Sequence, residues 1–300
     1  MSSIVTIRTP AEFNFASCLR SHGWVDLAPF GVTQDKLTGV LALDGSVARF
    51  DVSQGPEGNK LKARARKKTA DNRCLKDAMI RIFRLDENLS GFYSKTQNDA
   101  ELEWVGRVGA GRLVRSPTVW EDLVKTLCTT NCSWGLTLKM VSNLVEKLGE
   151  SDGNGDRAFP TPDAMAAVDE DFYRNEIRAG YRSPYFLELS KRVCIGEIDP
   201  ESWLSTELAT NELKKAIKGV KGVGDYAAEN LLKLLGRYDG LALDSWLRAR
   251  FYERYNNGRP CPDGKIEKHY VGYGEWKGLA IWCDMNRDWY LNSQNAAADV

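Results

Sequence analysis

The spacing of apolar residues changes once along this chain, between about residues 70 and 95, and that change restricts the fold more than any other feature. Asp44-Gly45 predicts a tight hairpin turn between two short strands in the first part of the chain. From about Asp71 onward the apolar spacing becomes helical. The stretches that β-branched residues or alternating polarity predict as strands are Ile4 to Thr9, Val40 to Leu43, Val47 to Val52 and Leu61 to Arg66.

The second part of the chain carries the start and stop signals of several helices. Ser116-Pro117 combines an N-cap residue with a first-turn proline, and Pro162 and Pro184 mark two further starts. Gly149 ends an apolar helical pattern that precedes it. These signals predict a helical body without internal repeats.

A length of 300 residues is sufficient for two domains with cores of their own. We predict an α+β protein with a small antiparallel, β-rich N-terminal domain over residues 1–95. An all-helical domain follows over residues 96–293, and residues 294–300 form a C-terminal tail. Ordinary apolar and charged fractions, 43% and 27%, exclude a wholly disordered or fibrous chain.

Charge and cysteine usage limit the classes of partner and location. Lys plus Arg and Asp plus Glu both number 41, so the net charge is zero and gives no sign of a nucleic-acid partner. Six cations and no acid lie between Lys60 and Lys68, where a solvated face and a DNA contact remain alternatives. Seven cysteines, of which only Cys128 and Cys132 are close in sequence, indicate neither a disulfide framework nor a zinc module. Without a leader or a spanning apolar run, we expect a cytoplasmic, nucleoid-associated protein.

The most informative stretch is a glycine-rich turn between two short predicted helices. Gly219, Gly222 and Gly224 fall within six residues, where they permit backbone angles and close approaches that a β-carbon forbids. The helix that follows begins with amides that have no intrahelical acceptor, at the positive end of its dipole, so a phosphate is a suitable ligand. A plain connection between two helices is the alternative interpretation.

Asp244 lies 20 residues after Gly224 and directly before another predicted helix. Aspartate is a common N-cap, and a capping carboxylate remains ionised. Cleavage of an N-glycosidic bond gives the sugar oxocarbenium character, which a fixed carboxylate stabilises. Asp244 is therefore a candidate catalytic residue as well as a cap.

Four segments of the chain point to one known family when they are taken together. They are Val220-Lys-Gly-Val-Gly224, Leu243-Asp244, Leu127-Cys-Thr-Thr-Asn131 and Gly180-Tyr-Arg-Ser-Pro-Tyr185. They resemble the helix-hairpin-helix (HhH-GPD) superfamily of DNA glycosylases, in particular the 3-methyladenine DNA glycosylase II branch and the 8-oxoguanine branch. The resemblance covers about residues 75 to 290 and implies that the β-rich segment is the TBP-like domain of those branches.

Departures from the family pattern narrow the chemistry that the resemblance implies. Lys221 replaces the usual proline of the hairpin, and Tyr226 stands where the bifunctional branch has its Schiff-base lysine. A phenol forms no imine with deoxyribose, so we predict a monofunctional enzyme without β-lyase activity. Only Cys261 and Cys283 lie where other branches hold four clustered cysteines, so no iron–sulfur cluster is expected. Whether a monovalent cation binds at the hairpin is left open.

The resemblance also assigns roles to residues that contact double-stranded DNA. Gly222, Val223, Gly224 and Lys221 grip the backbone. Asn131 fills the gap left by the flipped nucleotide, Tyr181 acts as a wedge, and Arg182 holds a phosphate. A half-buried structural aromatic is the alternative for Tyr181.

The abundance of aromatic residues, with 9 tryptophans and 11 tyrosines, predicts a stacking pocket for the base. We place Tyr226 and Trp134 in it. An aromatic face attracts a cationic, alkylated purine, so alkylated purines are the predicted lesions of a monomeric repair enzyme. The alternatives are a glycosylase for oxidised or deaminated purines, a catalytically silent DNA-binding protein, and a protein unrelated to DNA.

Overall fold

The protein, seen here as a computed structural model, is described over residues 2–33, 35–43, 46–66 and 72–291. Its N-terminal part contains a five-stranded sheet in the order β1-β5-β4-β3-β2, in which all paired neighbours are antiparallel. The strands are β1 (Ser3–Arg8), β2 (Gly31–Val32), β3 (Lys36–Leu43), β4 (Ser46–Gln54) and β5 (Lys60–Ala65).

Alternation of polarity explains why these segments form a sheet with one buried face. In β5, Leu61, Ala63 and Ala65 are buried, whereas Lys62 and Arg64 are exposed. The basic run therefore lies on the solvent side of the sheet, and its last members, Lys67 and Lys68, fall outside the described residues.

All four predicted strands are confirmed with small shifts of their ends. The turn predicted at Asp44-Gly45 lies outside the described residues, but β3 and β4 pair in register on either side of it, with Leu43 opposite Ser46. No sequence pattern predicted the two-residue strand β2, because it is too short for alternation to be visible. The likeness of this sheet to a TBP domain remains a prediction.

Helices account for most of the remaining structure. The α-helices of the N-terminal half are α1 (Phe15–Leu19), α2 (Asn72–Phe83), α3 (Ser90–Thr96), α4 (Trp104–Val108), α5 (Val119–Thr129) and α6 (Trp134–Leu148). Those of the C-terminal half are α7 (Pro162–Ala166), α8 (Glu170–Phe172), α9 (Ser183–Cys194), α10 (Thr210–Lys218), α11 (Asp225–Leu234), α12 (Ser245–Tyr255), α13 (Asp263–Tyr270) and α14 (Lys277–Met285). Helical turns of other types cover Gly23–Asp26, Tyr173–Ile177, Gly180–Arg182, Glu201–Leu204 and Val271–Trp276.

Most predicted helix ends agree with the structure, and α5 is the exception. It begins after Thr118, whose hydroxyl accepts a hydrogen bond from the Glu121 amide, and not at Ser116-Pro117. The Ser116 amide instead donates to the buried carboxylate of Asp122. The predicted start was therefore two residues early because Ser116 serves a tertiary contact.

The apolar residues gather in three main clusters. One lies between the sheet and α2, and a second surrounds α5 and includes α6, α9, α10 and α11. The third joins residues 89–113 to residues 238–290, which are far apart in sequence. The predicted limits at residues 95 and 293 stay a prediction, and the tail at 294–300 lies outside the described residues.

Asp122 on α5 connects the sheet part to the helical part. Its buried carboxylate accepts hydrogen bonds from Trp24 Nε1 at 2.9 Å and from Arg81 Nη2 at 3.2 Å. Since both donors come from the N-terminal part, this carboxylate fixes the segment around Trp24 against the helical body. No helix within the described ranges is long and apolar enough to cross a bilayer.

Candidate active site

The glycine turn between α10 and α11 is a compact hairpin, residues 219–224. Gly222 has a φ of +90°, and a β-carbon at this position would lie 2.5 Å from Cδ2 of Tyr185. The next residue, Val223, is buried, and its amide donates to the carbonyl of Val220 at 3.1 Å. A left-handed glycine and a buried valine thus fix the shape of the hairpin.

The outer side of the hairpin carries free amides and paired charges. Within the described part of the chain, no acceptor is recorded for the amides of Gly222 and Gly224. Lys221 is exposed and pairs with Glu188 at 3.2 Å. Lys218 and Lys214 both bind the carboxylate of Asp225, and their hydrogen bonds lower its pKa. The backbone amides are therefore the groups most available to an anion.

Replacement of Gly222 by alanine should weaken both the fold and DNA binding, because the hairpin would have to move away from Tyr185. We expect a loss of about 1–3 kcal/mol in the free energy of unfolding. Gly224→Ala is the matched control for stability alone, since its φ is −87° and nothing in the protein lies within 4 Å of the added β-carbon. Urea denaturation measures the stability of both variants and duplex titration the binding of Gly222→Ala, and equal losses of stability in the two variants would contradict this account.

Asp244 borders a cavity of about 900 Å³ that it shares with Tyr226 and Trp134. Its side chain caps α12, where Oδ1 accepts the Leu247 amide at 2.7 Å. Asp244 is half-buried, so the carboxylate is not deep in a core, and it shares the cavity with Tyr226, which follows the hairpin. Burial raises the pKa of the Tyr226 phenol, and the negative charge of Asp244 raises it further. The predicted catalytic carboxylate and both predicted pocket residues are thus brought together.

Six aromatic side chains of the described residues contribute to the walls of the cavity. Trp246 and Trp289 lie with ring centroids 5.6 Å apart. The ring of Trp134 lies over Gly23, where a β-carbon would come within 2.5 Å of it. The aromatic lining residues are Trp24, Trp134, Tyr226, Trp246, Trp282 and Trp289. Such walls suit a flat, unsaturated ligand.

The N-terminal part of the chain supplies a wall that sequence reasoning missed. Burial lowers the pKa of His22 to about 3, so its ring is neutral at pH 7. Arg20 and Asp26 also border the cavity, and no motif marks any of these positions. The lining residues from this part are Ala16, Leu19, Arg20, His22, Gly23, Trp24, Val25, Asp26, Val32 and Thr33.

The predicted gap-filling and wedge residues lie near each other at the surface. Asn131 is exposed with a φ of +45°, and Tyr181 is 47% exposed. The Tyr181 hydroxyl donates to the carbonyl of Thr130 at 3.2 Å. The loop after α5 and the turn before α9 therefore form one surface that presents an amide and a phenol.

Arg182 differs from its predicted placement at a phosphate. The side chain is only 2% exposed, and its guanidinium donates to both oxygens of Thr130. It also lies 4.4 Å from the centre of the Tyr181 ring. The side chain lies inside the protein because the carbonyl of Thr130, just beyond the end of α5, accepts a hydrogen bond from this guanidinium. In this structure Arg182 holds the loop and supports Tyr181.

A buried lysine lies behind the aromatic wall. Lys233 is 2% exposed, and its Nζ has no hydrogen-bond partner among the described residues. The ammonium lies 4.9 Å from the centre of the Trp282 ring. Burial lowers the pKa of Lys233 to about 8, and the negative charges of Asp244 and Glu229 oppose that shift. Its position seven residues after Tyr226, on the same helix face, was the only sequence signal for it.

Two predictions concern cofactors. Cys283 is buried and Cys261 half-buried. Across residues 2–33, 35–43, 46–66 and 72–291, no group of three His, Cys, Asp or Glu side chains is placed to hold a metal ion. The absence of an iron–sulfur cluster and the open question of a cation at the hairpin stay predictions.

Comparison with known proteins gives one curated relative and several solved structures. No protein-family profile matches the chain. The chain is similar to an N-glycosylase/DNA lyase of Saccharomyces cerevisiae, at 22% identity over 123 residues. That match covers 40% of this chain and 33% of the yeast protein, so it spans about a third of the relative's length.

Several solved structures match almost the whole chain. The 3-methyladenine DNA glycosylase of Archaeoglobus fulgidus has a TM-score of 0.78 over 96% of this chain and 99% of that one, at 18% identity. The 8-oxoguanine glycosylase/lyase of Clostridium acetobutylicum, in complex with double-stranded DNA, has a TM-score of 0.73 over 98% of each chain, at 20% identity. This chain has the fold of the helix-hairpin-helix DNA glycosylases.

The resemblance predicted from sequence is thereby confirmed for the fold. In this helix-hairpin-helix glycosylase fold, the hairpin opens α11, Tyr226 lies in the first turn of that helix, and Asp244 caps α12 at the cavity. The sequence-based prediction extended over residues 75 to 290, whereas the structural likeness includes the N-terminal sheet as well.

Proposed function

We propose that the protein is a monofunctional DNA N-glycosylase of base excision repair that hydrolyses damaged purines from duplex DNA. The observation that supports this most directly is the half-buried carboxylate of Asp244 at a cavity that is also lined by Tyr226, two residues after the hairpin with its free amides. A flipped nucleotide needs both elements, since one binds the backbone and the other faces the sugar.

The geometry supports hydrolysis by water. As the bond between C1′ and the base nitrogen lengthens, positive charge develops on the sugar, and Asp244 stabilises it through its own negative charge. The leaving base takes the bonding electrons, and Asp244 also orients the attacking water or accepts its proton. Tyr226 borders the same space but cannot form an imine with the sugar, so strand cleavage through that position is not expected.

The surface around the cavity supports binding of double-stranded DNA. The amides of Gly222 and Gly224 bind backbone phosphates without reading sequence, and Lys221 adds a positive charge beside them. Asn131 occupies the space that the flipped nucleotide leaves, and Tyr181 enters the base stack next to it. Arg182 contributes indirectly, since it supports both residues through Thr130.

The lesion class proposed from the sequence is an alkylated purine, and the aromatic walls are consistent with it because they attract electron-poor rings. A neutral oxidised or deaminated purine is the second candidate. It is favoured by one observation, the positive charge of Lys233 behind Trp282. A DNA-binding protein without turnover is the remaining alternative.

The test is incubation of the protein with duplexes that carry single defined lesions, followed by chromatography of the released base and by electrophoresis of the strand. We expect free base and an abasic site that alkali cleaves, with no strand break before alkali treatment. Tight, salt-dependent binding without any abasic product would show instead a silent binding protein. Strand breaks before alkali treatment would contradict the monofunctional assignment.

A further inference from the structure

Lys233 is a charged side chain for which the proposed mechanism has no use. It is 2% exposed, and its Nζ has no hydrogen-bond partner among the described residues. Burial of an ammonium without a partner is costly, so its retention in a core requires a physical explanation. Lys233 follows Tyr226 and Asn230 on one face of α11, and both of those residues border the cavity.

Trp282 links Lys233 to the cavity, because its indole lines the cavity and also lies near the ammonium. The indole is among the residues that line the cavity, whereas Lys233 is not. Its Nε1 donates to the carbonyl of Ser21 at 2.7 Å, which fixes the ring plane. The ammonium lies 4.9 Å from the ring centre. A base stacked on Trp282 from the cavity would therefore share one indole with a cation.

The charged groups near Lys233 do not form a contact ion pair with its ammonium. Glu229 already binds Lys214 Nζ at 2.6 Å and the Ala242 amide at 2.6 Å. Asp244 caps α12. His22 is neutral at pH 7 because burial lowers its pKa to about 3, and burial raises the pKa of Cys283 so that its thiol is neutral as well. The ammonium of Lys233 therefore has no contact ion pair with a described residue, and Asp244 and Glu229 act on it only at longer range.

We propose that Lys233 is a specificity-determining residue that, through Trp282, selects neutral damaged purines over cationic ones. The inference rests on the proposed glycosylase function and deepens it by naming the charge class of the base, which favours the second candidate class, neutral purines, over the cationic alkylated purines proposed from the sequence. Oxidised, deaminated and neutral alkylated purines are the preferred class. Purines made cationic by N-alkylation are disfavoured, because the indole of Trp282 already makes its cation–π interaction with Lys233.

The size of the effect follows from the separation of the two charges. A base stacked on the free face of Trp282 lies roughly 8 Å from Nζ, which adds a stacking distance of about 3.5 Å to the observed 4.9 Å. At that separation, repulsion in a partly buried site corresponds to a change of about 10-fold to 30-fold. Rates or affinities for cationic and neutral bases should therefore diverge by about that factor.

The experiment compares wild type, Lys233→Met and Lys233→Arg in single-turnover release from matched duplexes. One duplex carries the cationic base 7-methylguanine, and two carry the neutral bases hypoxanthine and 8-oxoguanine. We expect Lys233→Met to raise the rate for 7-methylguanine, relative to the best neutral substrate, by about 10-fold or more. Lys233→Arg keeps the charge and the aromatic contact and should keep the wild-type ratio. An unchanged ratio in Lys233→Met would overturn the inference.

A binding measurement tests the inference about Lys233 even in a protein that releases no base, and it separates that inference from the proposed catalytic function. Equilibrium affinities for the same duplexes, measured in the Asp244→Asn background with and without Lys233→Met, should show the same relative gain for 7-methylguanine. Lys233→Gln provides a second neutral variant if Lys233→Met folds poorly. Base release by wild type with no change of ratio contradicts only the inference about Lys233. An absence of base release together with the expected shift in affinity contradicts only the catalytic proposal.

Discussion

Asp244→Asn should lower the rate of base release by about 10²-fold to 10³-fold, because it removes the only charge proposed to stabilise the sugar cation. Asparagine is as good an N-cap as aspartate, so its oxygen can still accept the Leu247 amide and α12 should begin as before. The loss is therefore expected in the single-turnover rate, with little change in duplex affinity or in the free energy of unfolding.

Asp169→Asn is the matched control for that substitution. Asp169 also caps a helix, and its Oδ1 accepts the Phe172 amide at 2.8 Å, but it is not among the residues that line the cavity. Its replacement should leave base release unchanged. Equal rates for wild type and Asp244→Asn would remove Asp244 from the mechanism, and equal losses in both variants would indicate a general effect of charge.

Lys233→Met should raise the free energy of unfolding at pH 7 by about 1–3 kcal/mol, an effect opposite to that of most core substitutions. The pKa of Lys233 is lowered to about 8 in the folded protein, against about 10.4 in an unfolded chain, which corresponds to a cost of about 3 kcal/mol for the buried charge. The cost is fully present below pH 8, where both states hold the proton. It declines between about pH 8 and 10.4, where only the unfolded state holds it.

Urea denaturation of both proteins at pH 7 and near pH 10 measures this effect. The advantage of Lys233→Met should shrink as the pH rises, since the wild-type lysine then loses its proton on folding. Lys125→Met is the contrast, because Lys125 is also buried but pairs with Glu121 at 2.6 Å. That variant should be destabilised by about 3–5 kcal/mol, since it leaves a buried carboxylate unpaired. An advantage of Lys233→Met that does not depend on pH would contradict the assigned cause.

Local patterns in the sequence were sufficient to predict those elements whose form is set by near neighbours. Alternation predicted β5, and Gly149 predicted the end of α6, because the deciding interactions lie within a few residues. The hairpin was predictable for the same reason, since the left-handed angle at Gly222 requires glycine whatever surrounds it. The predicted role of Asp244 depended on the resemblance, whereas its capping bond followed from its position alone.

Features that depend on distant contacts could not be predicted. The resemblance assigned Arg182 to a phosphate, and only the fold reveals the Thr130 oxygens to which it donates. Nothing around Trp24 or His22 marks them as cavity residues, because they reach the cavity through the contact between Trp24 and Asp122. The buried position of Lys233 follows from the packing of α14 against the helical body, which no local pattern encodes.

The cavity lies between two parts of the chain that have separate roles. The hairpin, Tyr226 and Asp244 belong to the helical body, whereas residues 16–33 close the opposite side from the sheet part. Substitutions in that N-terminal stretch can thus reshape the chamber without disturbing the groups that act on the sugar. A protein built in this way can acquire a new range of lesions over evolution, or by design, while its chemical step stays the same.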